Sequence, residues 1–207
     1  MRFHSILSLA LLSLLALPVL AQQPPAPPLR LRGEITKVEG NHVTLKTRSG
    51  ESLSIMLAEK VAITGVKKAE FSEVSSGKFV GIASRPQPDG THRALEVLVF
   101  PEASRGSNEG HYPWDLTSDS MMTNANISSA VEAKEGRNLT LHYKDKAGKE
   151  TDVKVHVPVG TPVVTFVPAD MAKIVPGAKV LVVANKGADG MLTSPRVLVG
   201  IDITPPM

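Results

Sequence analysis

Glu39-Gly40-Asn41-His42-Val43-Thr44-Leu45 and Glu135-Gly136-Arg137-Asn138-Leu139-Thr140-Leu141 share one pattern, 96 positions apart. Further along, Ser76-Gly77-Lys78-Phe79-Val80 matches Pro176-Gly177-Ala178-Lys179-Val180. Pro88-Asp89-Gly90 matches Ala188-Asp189-Gly190, and Val97-Leu98-Val99 is identical to Val197-Leu198-Val199, all three at 100 positions. Order and spacing both hold, which is the signature of an internal duplication. The four-residue slip falls between the second and third strands of the second unit, where Lys144–Lys149 makes a longer turn.

Each unit reads as short strands. Val153, Val155 and Val157 alternate with Asp152, Lys154 and His156, and Leu53, Ile55 and Leu57 alternate with Ser52, Ser54 and Met56. A period of two marks half-buried antiparallel sheet. Strands are expected at Leu31–Val38, His42–Thr47, Ser52–Leu57, Ala62–Thr64, Phe79–Arg85 and Arg93–Phe100. In the second unit they are expected at Ala125–Ala133, Asn138–Tyr143, Thr151–Val157, Val163–Val167, Lys179–Asn185 and Leu192–Val199. Turns at Gly40, Gly136 and the two Asp-Gly pairs suit tight hairpins. A non-strand plug is expected at Ala69–Val74 and again at Ala169–Ile174, where Asp170 can cap one helical turn. The fold class is therefore all-β: two tandem small OB-like β-barrels with a short helical turn in each. A two-sheet sandwich is the alternative. The first barrel is assigned to 29–100, a joining strap to 101–124 and the second barrel to 125–203.

The chain of 207 residues carries 23 Lys+Arg against 20 Asp+Glu, no cysteine, one Trp, two Tyr and five Phe. No cysteine means no disulfide, thiolate metal site or cysteine nucleophile. A net charge of +3 and few aromatics argue against a nucleic-acid partner. Residues 1–21, MRFHSILSLALLSLLALPVLA, read as a secretory signal peptide with cleavage after Ala21. Its apolar run is shorter than the ~20 residues of a spanning helix, so no transmembrane anchor is expected after cleavage. Residues 22–28 read as a Pro-rich tether. Export without cysteine fits the periplasm or exterior of a bacterial envelope.

The run Arg32–Gly50, then Gly77–Gly81 and Asp89–Gly90, resembles a family of small bacterial exported β-barrel domains of unknown function. The whole chain is similar to a doubled proteobacterial group. In that group the units are joined by a G-E-G-H-x-P-W-D-L stretch followed by S-x-M-T-N-A. Here Asn108 stands in place of the first glycine, Glu109–Leu116 follows the pattern, and Ser120–Ala125 supplies the second stretch. The resemblance implies an envelope β-barrel protein and brings no catalytic residues.

The strap is the stretch the duplication does not explain. Trp114 and Leu116 are candidates for anchoring the strap across the barrel seam, with His111 and Asp115 bonding backbone, and Trp114, Leu116 and Tyr112 are candidates for partner binding. The alternative is a metal site of Glu109, His111, Asp115, Met121 and Met122. Its mixture of imidazole, carboxylate and thioether would suit copper, nickel or zinc, although the spacing matches no strong metal signature. His42, His92, His142 and His156 read as solvated surface. No G-x-S-x-G elbow or phosphate loop occurs. The expectation is a non-enzymatic binding or structural module without a cofactor, its partner an envelope protein or envelope component. The rival reading is a metal-binding or metal-delivery protein.

Overall fold

The structure, a computed structural model, describes residues 27–205. The expected signal peptide and residues 22–26 of the tether lie outside them. The described residues form twelve strands: β1 Leu29–Glu39, β2 His42–Thr47, β3 Ser52–Lys68, β4 Phe79–Pro86, β5 His92–Val99 and β6 Gly110–Pro113 come first. They are followed by β7 Met121–Ala133, β8 Gly136–Lys144, β9 Glu150–Pro158, β10 Val163–Pro168, β11 Lys179–Lys186 and β12 Leu192–Gly200. The all-β class is as the alternation indicates. Val155, Val157, Leu139, Leu141, Ile55 and Leu57 are all buried.

The strands close into two five-membered rings. One runs β12-β11-β1-β2-β3 and closes through parallel pairing of β12 with β3. The other runs β5-β4-β7-β8-β9 and closes through parallel pairs His92 with Val155 and Arg93 with His156. The sequence reading closes one barrel within 29–100 and the other within 125–203. The hydrogen bonding differs. Each ring takes its first three strands from one half of the chain and its closing hairpin from the other.

The crossover follows from β3. Where the sequence suggests two strands with a break at residues 58–61, β3 runs unbroken for 17 residues. It therefore leaves its own ring and carries the chain to the other. Its end pairs antiparallel with β10, Thr64 with Pro168, Val66 with Phe166 and Lys68 with Val164. Adding 100 to the first partner of each pair reproduces the set, so Val66 and Phe166 sit on a local pseudo-two-fold axis. β10 then pairs with β5, tying both rings into one sheet.

The plugs cross over too. The 3-10 turn Phe71–Glu73 leads to Val74, which is buried in the core of the second ring. Arg137 holds it there, donating to the Phe71 carbonyl at 3.2 Å and to the Val74 carbonyl, with its guanidinium 4.8 Å from the Phe71 ring centroid. The matching turn Met171–Lys173, capped by Asp170 accepting from the Ala172 N–H, delivers Ile174 to the first ring's core. A third cluster, around Val66, Leu98, Met122, Val164 and Leu181, fills the seam between the rings.

The two Asp-Gly hairpins turn at their glycines, whereas Gly136, expected in a turn, is the first residue of β8 and the turn falls at Lys134-Glu135. Gly90 and Gly190 both adopt φ +81°, the left-handed region where a Cβ is disfavoured. Asp89 and Asp189 brace them by accepting from the backbone N–H two residues on, each at 3.0 Å. The β8–β9 hairpin is the longer one, as the spacing indicates. The β7–β8 hairpin is extended as well, pairing Ala133 with Gly136 where β1–β2 ends at Glu39 with His42.

Candidate functional site: the cleft between the rings

The outer faces of the two rings diverge from the seam and leave an open cleft of about 1520 Å³. Directly paired residues of neighbouring strands project to the same face. On the first ring Arg30 pairs with Val183, and Val183 pairs with Arg196. The three form a row across β1, β11 and β12. The next row is Arg32, Leu181 and Leu198. Leu181, Leu198 and Val183 line the cleft wall, with Phe166 and Leu98 toward its floor.

The opposite wall comes from the strap. Strap residues 110–113 form a strand that the sequence does not announce: β6, pairing Tyr112 with Met122 and His111 with Thr123 on β7. Ser120, buried, donates from its hydroxyl to the Trp114 and Thr117 carbonyls and folds the strap back on itself. Trp114 and Leu116 pack against the seam cluster. Tyr112 and Trp114 meet edge to face at 6.2 Å, and the Arg30 guanidinium lies 4.1 Å from the Trp114 ring centroid. The two expected anchors, Trp114 and Leu116, thus fall together at the seam, with Tyr112 beside them.

The polar groups of the cleft are specific. Asn124 donates to the Tyr112 hydroxyl oxygen at 3.2 Å, which leaves the phenolic O–H free to donate. Burial pushes the Tyr112 phenol up, against the pull of Arg30, so that proton is retained at neutral pH. The buried Trp114 Nε1–H has no partner among the described residues. Arg30 and Arg196 make no ion pair among the described residues.

The five suggested metal donors do not converge. Glu109 accepts from the Lys144 backbone N–H at 3.1 Å. Asp115 takes the Arg32 guanidinium at 2.8 Å, a side-chain partner rather than the expected backbone. Met121 and Met122 are neighbours on one strand and so face opposite ways, Met122 being buried in the seam. His111 shares a 2.8 Å hydrogen bond with the Thr123 hydroxyl, again a side chain. Among the described residues no group of three or more His, Asp or Glu is placed to hold a metal.

The histidines separate into two kinds. His42 is exposed, His156 bonds Asn138, and His142 sits between Asp152 and Glu150, whose hydrogen bonds raise its affinity for a proton. His92 differs from the surface reading. It is half-buried, with its ring edge-on to His111 at 5.1 Å and its Nδ1 3.2 Å from the Ser84 hydroxyl. Desolvation lowers the proton affinity of both rings, and His92 lowers that of His111 further. Ser84 is wholly buried, so this Ser–His contact presents no nucleophile to solvent.

Sequence reasoning missed Glu96. It pairs with Ala83, which pairs with Met122. Glu96 is 1 % exposed, and neither carboxyl oxygen has a hydrogen-bond partner among the described residues. Burial pushes its carboxyl up to about 8, against the opposing pull of Arg32 and Arg48. The available signal was a lone acid in the apolar run Ala94–Phe100.

No helix among the described residues is long and apolar enough to cross a membrane. No family model, curated protein or solved structure matches the chain.

Proposed function

We propose that this is an exported, non-catalytic protein of the bacterial envelope that holds a partner or envelope component in the cleft between its rings. The reading includes two OB-like barrels, derived by duplication, whose closing hairpins have been exchanged. The ring order, three sequential strands followed by a parallel-paired strand and its hairpin mate, is what supports the OB-like part. The signal-like residues 1–21 and the lack of cysteine support export. The resemblance to doubled exported proteobacterial proteins agrees with both.

One observation carries the binding role. The cleft joins apolar and aromatic walls to a few unengaged donors, which is the general make-up of a ligand site. Among the described residues Ser84, which contacts His92, is buried and presents no nucleophile to the cleft, so a reaction is not part of the proposal.

Site-specific photocrosslinking in the native envelope tests it. A crosslinker at Leu198, in the cleft, is expected to trap a defined adduct, while one at Glu59, exposed on the first ring, is not. Equal yields from both positions, or none from Leu198, would remove the cleft as the binding surface.

A further inference from the structure

The cleft has a chemical polarity that narrows its ligand. Arg30 and Arg196 flank Val183 in one cross-strand row, two strand spacings or about 9–10 Å apart at the backbone. Both side chains project from the same face. Like charges held in one row repel, and no carboxylate of the described residues neutralises either. The Arg30 guanidinium lies over the Trp114 ring, 4.1 Å from its centroid, a contact that helps to position it without satisfying its donors.

The matching row of the second ring sharpens the point. Met122, Ala83 and Glu96 occupy the positions of Arg30, Val183 and Arg196, and they are buried against the seam. Two equivalent rows have thus been given opposite chemistry. One serves the seam, and the other presents two unneutralised guanidinium groups beside an apolar cleft. Arginine in such a pair favours carboxylate or phosphate, which it can take with two hydrogen bonds.

We propose that the Arg30–Val183–Arg196 row binds the anionic head of an acyl-chain amphiphile whose hydrocarbon body lies in the cleft. The head is a carboxylate or a phosphate, and the Tyr112 hydroxyl is placed to donate to it or to the first polar group below it. The chain lies along Leu198 and Phe166, both partly exposed in the cleft. The cleft, about 1520 Å³, has ample room for such a chain. This rests on the cleft being the binding surface and adds the class of ligand.

The test is calorimetric titration of the purified chain with dodecanoate, dodecyl phosphate, dodecanol and inorganic phosphate, each below its aggregation threshold. Trp114, the one tryptophan of the chain, gives a second readout from inside the cleft. Saturable binding of dodecanoate or dodecyl phosphate is expected, with dodecanol at least about tenfold weaker and inorganic phosphate not measurable. The better of the two anions identifies the head. Arg30→Gln and Arg196→Gln, each checked for an unchanged melting temperature, are expected to weaken the anion about tenfold and leave dodecanol unchanged. Dodecanol binding as tightly as the anions, wild-type affinity in both variants, or no saturable binding at all would overturn the proposal. A protein trapped through Leu198 while every amphiphile fails would refute the ligand class and leave the cleft reading standing. Failure of both would end both.

Discussion

Glu96 and Arg196 occupy equivalent positions in the two rings, one buried without a partner and the other exposed at the cleft. The pair marks where the two rings diverge: one position was turned inward to the seam, the other left facing outward. The inward one has a measurable consequence.

Glu96 is an acid whose proton affinity is raised by burial, to a pKa of about 8. Its contribution to stability is therefore full below its unfolded value, near 4.5, and declines as the pH rises toward 8. The slope over that window is about 1.4 kcal/mol per pH unit. Glu96→Gln keeps the shape and cannot ionise. Relative to wild type it is expected to gain stability steadily from pH 4.5 to 8 and then level off. Urea midpoints across that range check it, and a constant difference between the two proteins would count against the burial of a proton with Glu96.

A Cβ on Gly33 would lie 2.1 Å from the Lys46 carbonyl oxygen, backbone against backbone, where nothing can yield. Gly33→Ala is expected to destabilise the first ring by about 2–3 kcal/mol. Gly40, at φ +60° with open space around it, provides the contrast. Gly40→Ala is expected to cost only about 1 kcal/mol, the left-handed backbone penalty. Thermal melts of the two variants give the ranking.

Asp115 ties the strap to the first ring through Arg32, whose side chain is only 9 % exposed while the carboxylate is 43 % exposed. Exposure on the acid side limits the pair to about 1 kcal/mol or less. Asp115→Ala should therefore barely shift the global midpoint, yet release the strap near residues 115–119. Faster limited proteolysis there, with little change in melting, is the expected result.

The histidines should titrate in a fixed order. His92 and His111, half-buried and facing each other, lie below 6.5, and His142, bonded to Asp152 and Glu150, lies above it. For the first two, lowered proton affinity means stability is present above pH 6.5 and is lost as the pH falls through their folded values. An NMR titration of the ring nitrogens reads all three. His111 titrating above 6.5 would show that its ring is not packed against His92.

Most strand positions, the long β8–β9 turn and the packing of Trp114 and Leu116 at the seam could be read from alternation, spacing and side-chain type. The exchange of hairpins could not. Val97-Leu98-Val99 and Val197-Leu198-Val199 are identical, so either hairpin presents the same inward valines to either ring. The chain crosses between rings once through the unbroken β3 and once across the break at Val159–Pro162, where Gly160 takes φ +83°, and neither crossing is marked by a local pattern. Nor could local pattern bring His92 to His111, or Arg30 to Arg196. Those meetings depend on which strands lie side by side, and periodicity reports only which face a residue is on.

The exchange itself is open to one direct measurement. Glu34 and Lys179 are register partners on β1 and β11, ion-paired at the surface and drawn from opposite halves of the chain. Antiparallel partners lie about 4.5–5.5 Å apart at Cα, within disulfide reach, and the chain has no other cysteine to interfere. Glu34→Cys with Lys179→Cys is expected to form an intramolecular disulfide rapidly and quantitatively under mild oxidation, reading as a monomer on a denaturing gel. A folded double variant whose thiols stay reduced, or link only between chains, would mean that each half closes its own ring.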